Sequence, residues 1–144
     1  MKFLIDTNVV SEIRKPSPEP AVAQWYDSVP EDDLFLSVAV LAEIAQGIEA
    51  LRQRSSERAR LFDQWLAGLS RAYADRIIDV DRDIADTWGR LNGAALALGQ
   101  APQLVDNLLA ATAMNQGLAI ATRNVRDFAE LPVSIFNPWH EVTD

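Results

Sequence analysis

The amino-acid sequence predicts a three-layer α/β/α domain with a mainly parallel central sheet of about five strands and a protruding helical hairpin. Three observations carry that expectation. Short apolar runs recur at residues 3–5, 34–38, 76–80, 118–122 and 133–136, as in strands buried on both faces. Between them lie stretches with apolar residues three and four apart, the period of amphipathic helices. No internal repeat, low-complexity tract or linker divides the 144 residues, which suit one domain with one core.

The first apolar run, Phe3-Leu4-Ile5, is followed at once by Asp6-Thr7-Asn8 and a helical pattern through Val9, Val10 and Ile13. That helix should end near Arg14 or Lys15, because Pro16-Ser17-Pro18-Glu19-Pro20 cannot continue it. Residues 21–29 read as a helix with Val22, Trp25 and Val29 on one face, and residues 30–33 as a polar turn. The second strand passes almost without a loop into a helix whose core stripe is Leu41, Ile44, Ile48 and Leu51. Ser55 or Ser56 then caps a long helix over residues 57–73, carrying Leu61, Phe62, Trp65, Leu66 and Leu69, and the two helices form the hairpin. After the third strand, residues 81–98 are helical, ending near Gly99. The last long helix opens within residues 101–107 and closes at Gly117, a natural glycine C-cap. The fourth strand leads into residues 123–128, and Asn137-Pro138-Trp139 ends the fifth.

Composition narrows the chemistry. There is no cysteine, so neither a disulfide framework nor a thiolate nucleophile is available, and a reducing cytoplasm fits. The N-terminus lacks the apolar core and cleavage site of a signal peptide. No run approaches the roughly 18 apolar residues that a membrane span needs. A single histidine, His140, reads as an incidental tail residue, which disfavours imidazole-based zinc sites and histidine triads. With 21 acids against 13 bases the net charge is −8, which argues against passive electrostatic binding of nucleic acid. The acids are either solvated surface or partly gathered in a site that a divalent cation neutralises; an oxygen-only site suits Mg²⁺ or Mn²⁺.

Taken singly, each acid has an ordinary explanation. Asp6 ends a buried strand and could simply cap the next helix. Glu43 lies off the core stripe, beside Val40 and Gly47, as a solvated residue would. Asp106 falls in or near the first turn of the last long helix, where the helix dipole favours an acid. Asp127 is best explained as a partner of Arg123 or Arg126. In a parallel sheet, however, the carboxyl ends of the strands share one edge with the N-termini of the helices around them. Asp6, Glu43, Asp106 and the Asn124 region therefore fall along one crevice. Three carboxylates a few ångströms apart cannot all ionise comfortably without a cation. Such a cation lowers the pKa of a bound water and assists in-line displacement at phosphorus, so no nucleophilic side chain is required.

Four stretches carry a resemblance. Residues 3–12 (FLIDTNVVSE) look like the opening of the PIN-domain ribonucleases, in particular the VapC/FitB-type toxins of prokaryotic toxin–antitoxin modules. Residues 37–47 (SVAVLAEIAQG) resemble that family's glutamate helix, residues 106–113 (DNLLAATA) its late aspartate helix, and residues 121–128 (ATRNVRDF) its segment after the fourth strand. Each motif is weak alone, but the four occur in family order across nearly the whole chain. The resemblance implies a PIN-like fold with Asp6, Glu43 and Asp106 as metal-binding catalytic acids, and with Thr7 and Asn8 orienting Asp6 or ligand waters. Asn124 stands where the family often has a fourth acid, and could reach an ion through its carbonyl oxygen or a water; Asp127 is an auxiliary source of charge. It further implies Mg²⁺ or Mn²⁺, hydrolysis of RNA, a homodimer and a cognate antitoxin that occupies the groove. RNA would approach through local bases such as Arg14, Lys15, Arg52 and Arg54.

Three other readings compete. A response-regulator receiver needs an acidic pair after its first strand and a lysine after its fifth, and no lysine follows Lys15. A haloacid-dehalogenase-type phosphatase needs an aspartate where Asn8 stands. A non-catalytic interaction domain requires the acids to diverge in space.

Overall fold

A computed structural model describes residues 1–140. In chain order its elements are β1 (Phe3–Ile5), α1 (Thr7–Arg14), α2 (Pro20–Ser28), a 3₁₀ turn (Glu31–Asp33), β2 (Leu34–Ser37), α3 (Val38–Arg52), α4 (Ser56–Ala72), β3 (Ile77–Ile78), α5 (Arg82–Ala97), α6 (Leu104–Gln116), β4 (Ala119–Ala121), α7 (Val125–Phe128) and β5 (Ile135–Phe136).

The strands form one five-stranded sheet in the order β3-β2-β1-β4-β5, and every pairing is parallel. β1 is central, with Phe3 opposite Leu34 on one side and Ala119 on the other. Its apolar run is continuous because helices cover both faces: Leu4, Ile5, Leu36 and Ile120 are fully buried, as are Val9, Val40 and Leu109 from the helices above and below. Trp25 of α2 packs edge-on to Phe3 at 5.2 Å and stacks on Phe136 at 5.3 Å, pinning α2 across the sheet.

The edge strands are shorter than the apolar runs that predict them. β3 keeps two residues of the run 76–80, and β5 two of 133–136. At the start of β3 the side chain of Arg76 takes over part of the bonding. Its guanidinium donates to the carbonyls of Glu31 (2.7 Å), Leu34 (2.9 Å) and Ala72 (2.8 Å) and lies over the Tyr73 ring. Arg76 thus ties the 3₁₀ turn, β2 and the end of α4 together.

Helix ends follow local chemistry. The Ser55 hydroxyl, not that of Ser56, accepts from the N–H of Arg58 and caps α4. Gly117 closes α6 at φ 68°, a left-handed conformation that glycine adopts without a Cβ clash. α6 starts at Leu104, so residues 101–103 stand outside it, and α7 forms a short helix in the segment after β4. α3 packs against α4 as the expected hairpin, and α5 pairs with α6 in the same way.

Candidate active site

Asp6 occupies the turn between β1 and α1 and is almost fully buried. Its Oδ1 accepts the N–H of Thr7 at 2.7 Å, which is the helix-cap bond. Its Oδ2 accepts the Thr122 hydroxyl at 2.8 Å and, at 3.4 Å, the side-chain amide of Asn8. The cap and the site are therefore the same carboxylate, with one oxygen given to each. Burial raises the pKa of Asp6; the Thr122 hydroxyl and the Thr7 N–H oppose that rise, and the charges of Glu43 and Asp127 add to it.

Glu43 stands on the exposed side of α3, but it is not simply solvated. Its Oε1 accepts the Thr7 hydroxyl at 2.7 Å, so Thr7 bridges two acids, its N–H to Asp6 and its hydroxyl to Glu43. Asp106, in the first turn of α6, is half-buried, and its side chain has no hydrogen-bond partner among the described residues. Burial pushes its pKa up to about 6, assisted by the charges of Asp127, Asp6 and Glu43 in that order. The four acids thus act on one another across the carboxyl edge of the sheet, where the helix N-termini of α1, α3 and α6 also lie.

One expectation is corrected. Among the described residues Asp127 makes no ion pair with Arg123 or Arg126. The Arg123 guanidinium instead lies over the Trp139 ring at 5.2 Å, and Asp127 adds its charge to the acidic centre. Asn124 sits at the N-cap of α7 without a side-chain cap bond; its backbone N–H donates to the Thr122 hydroxyl oxygen at 3.0 Å. Asn8 donates to the same oxygen at 3.2 Å and accepts the Arg123 N–H at 3.2 Å.

Thr122 is the residue the sequence reasoning missed. It is wholly buried, follows β4 directly, and connects Asp6, Asn8 and Asn124 through one hydroxyl. The available signal was a threonine immediately after a buried strand, inside a segment already singled out. Its partner lies 116 positions away, so only the pairing of β1 with β4 reveals its use.

The acids are gathered without being closed into a cage: among the described residues no three acidic, histidine or cysteine side chains are close enough to hold an ion together. Mg²⁺ does not demand such a cage, since it characteristically uses one or two carboxylates and completes its shell with water and substrate phosphate. The donor chemistry fits a hard cation. Every candidate ligand is an oxygen, Asp106 is unpartnered, and no ion-paired lysine or arginine neutralises Asp6, Glu43, Asp106 or Asp127 among the described residues.

Beside Glu43 a groove of about 380 Å³ runs between α1, α3 and α4. Ile44, Ile48, Leu51, Phe62 and Trp65 line it, and the Arg14 guanidinium covers Phe62 at 4.5 Å and Trp65 at 5.6 Å. Two of the bases expected to meet RNA are engaged elsewhere: Lys15 pairs with Glu12, and Arg52 with Glu49 and Asp63.

The parallel sheet with acids along its carboxyl edge agrees with a match of residues 3–133 to the PIN domain family model, and the chain belongs to that family. It is 33% identical over 139 residues to Toxin FitB of Neisseria gonorrhoeae, covering 96% of this chain and 99% of the relative. Over 138 residues it is 33% identical to the VapC ribonuclease Y4jK of Sinorhizobium fredii, covering 95% and 97%. The crystal structure of FitAcB from Neisseria gonorrhoeae is similar with a TM-score of 0.82 at 33% identity, covering 96% of this chain and 99% of that one. Family membership sets aside the receiver and phosphatase alternatives.

Proposed function

We propose that this chain is an Mg²⁺- or Mn²⁺-dependent endoribonuclease of the cytoplasm, acting as the toxin of a toxin–antitoxin pair. The observation that carries the reading is Asp106: a half-buried carboxylate raised to about 6, without a partner among the described residues, facing the charges of Asp127, Asp6 and Glu43. Asp6 and Asp106 would hold the ion directly, and Glu43 through a ligand water. A divalent ion held there would supply Lewis-acid chemistry, lowering the pKa of a bound water and offsetting charge at phosphorus. The chain's own groups do the positioning. Thr122 and Asn8 fix Asp6 Oδ2, and Thr7 fixes Glu43. Asn124 stands at the rim with its side chain free of a cap bond, available to a ligand water or a substrate oxygen.

Relatives named as a toxin and as a VapC ribonuclease support both halves of the reading. The groove between α1, α3 and α4 suits an amphipathic antitoxin helix, with aliphatic and aromatic walls and arginines at its rim. A homodimer is the proposed assembly.

The test is hydrolysis of single-stranded RNA by the purified protein with Mg²⁺ or Mn²⁺, with EDTA, and as Asp6→Asn. Activity is expected with metal only, and Asp6→Asn should lose about a thousandfold or more while melting cooperatively. Expression alone should arrest growth, and co-expression of a small upstream gene product should relieve the arrest. Full activity of Asp6→Asn removes Asp6 from the site, and harmless expression of an active nuclease removes the toxin role.

A further inference from the structure

On the β5 side of the acidic centre, opposite the α1–α3–α4 groove, lies an open cleft of about 710 Å³ bordered by Arg123, Asn124, Arg126, Asp127, Asn137 and His140. Two features distinguish it from ordinary solvated surface. It borders the acidic centre, because Asn124 in its wall donates its backbone N–H to the Thr122 hydroxyl that holds Asp6 Oδ2. It also carries two arginines: Arg123, whose guanidinium packs over the Trp139 ring, and Arg126, which makes no ion pair among the described residues.

The cleft's walls are fixed. The Arg123 N–H is held by Asn8, itself bonded to Asp6, and the Trp139 N–H donates to the Asn137 side chain at 3.0 Å. The chain carries a net charge of −8, so an RNA strand needs local cations to approach the acids at all. The α1–α3–α4 groove also carries cations, Arg54 and Arg58 beside Arg14, but its floor of Ile44, Ile48, Leu51, Phe62 and Trp65, with Arg14 spread over two of the rings, suits an apolar helix better than a phosphate backbone.

We infer that this cleft is the track for the single-stranded RNA flanking the scissile phosphate, with Arg126 and Arg123 contacting backbone phosphates. A cationic groove that follows the backbone is one way proteins hold single strands without reading sequence. The assignment rests on the ribonuclease reading and replaces Lys15 and Arg52 as the RNA-facing bases.

The test uses the full chain, with Arg126→Ala, Arg126→Lys and Arg123→Gln against Arg60→Ala, an exposed α4 arginine, as control. Binding of a fluorescein-labelled single-stranded oligoribonucleotide is measured by anisotropy in EDTA across a salt series, and cleavage of the same strand with Mn²⁺. Arg126→Ala should weaken binding about tenfold and lower the salt slope by about one, with Arg126→Lys recovering most of both. In cleavage its KM should rise with kcat retained, the mark of lost uniform binding. Arg123→Gln should weaken binding, measured at a temperature where both proteins are folded, while still melting cooperatively. If Arg126→Ala binds and cleaves like Arg60→Ala, the track is wrong, whatever the fate of the ribonuclease reading. If the variants lose affinity for a co-expressed antitoxin but not for RNA, the cleft is a protein-docking surface and the inference also falls. Wild-type protein that binds the strand through Arg126 yet never cleaves it, with any divalent ion, would sink the ribonuclease reading and leave the cleft standing as a strand-binding site.

Discussion

The Thr122 hydroxyl donates to Asp6 Oδ2 at 2.8 Å and accepts from both the Asn8 side chain and the Asn124 backbone. A hydroxyl has one proton and two lone pairs, and all three are used. One buried oxygen therefore joins the ends of β1 and β4 and fixes the carboxylate between them.

Thr122→Val keeps the shape and removes that oxygen. Urea unfolding should show a loss of about 1–3 kcal/mol, since a buried carboxylate and two donors lose their partner. The Thr122 bond lowers the pKa of Asp6, so its removal raises that pKa further. The variant's deficit should consequently grow as pH rises and Asp6 ionises. A deficit that shrinks with rising pH would contradict this account of the site.

Asp106 provides a second pH experiment. Its carboxyl titrates at about 6 when folded, against an ordinary value of 3.8. Below the lower value both states bind the proton and no penalty arises. As pH rises through the folded value, stability is lost and the penalty becomes complete. Because the group is partly solvated, screening reduces the cost to about 1 kcal/mol. Asp106→Asn should therefore melt higher than wild type at pH 8 in EDTA and equal to it below pH 4, while losing RNA hydrolysis. Added Mn²⁺ should raise the melting point of wild type and not of the variant.

Arg76 tests the scaffold apart from the chemistry. It lies at the amino end of β3, whereas the acids gather at the carboxyl edge. Arg76→Ala leaves three carbonyls without their donor and should cost about 3–5 kcal/mol in urea unfolding. Arg76→Lys should recover only part of that, because a single ammonium nitrogen does not span the positions that the two guanidinium nitrogens occupy. RNA hydrolysis per folded molecule should be unchanged in both.

Much of this was legible in the chain. β1 and β2 announce themselves as apolar runs, and Gly117 and Ser55 mark helix ends by rules that act within a few residues. Asp6, Glu43 and Asp106 stand out because each falls where a parallel sheet turns its chain toward one edge. What escaped depends on distance in sequence. Thr122 has meaning only once β4 lies beside β1, and the freedom of Asp127 only once Trp139 has drawn Arg123 aside. The fraying of the 76–80 and 133–136 runs to two-residue strands reflects their edge positions, where one neighbour rather than two fixes the backbone.

Those two-residue margins have a consequence for recruitment. A sheet border offers a template for an incoming extended segment only where a row of open N–H and C=O groups continues for several residues. Neither Ile77–Ile78 nor Ile135–Phe136 presents such a row. Any macromolecule that engages this domain must be met by helix flanks and side chains, which confines capture to surfaces where residue identity, rather than generic peptide geometry, decides who may bind.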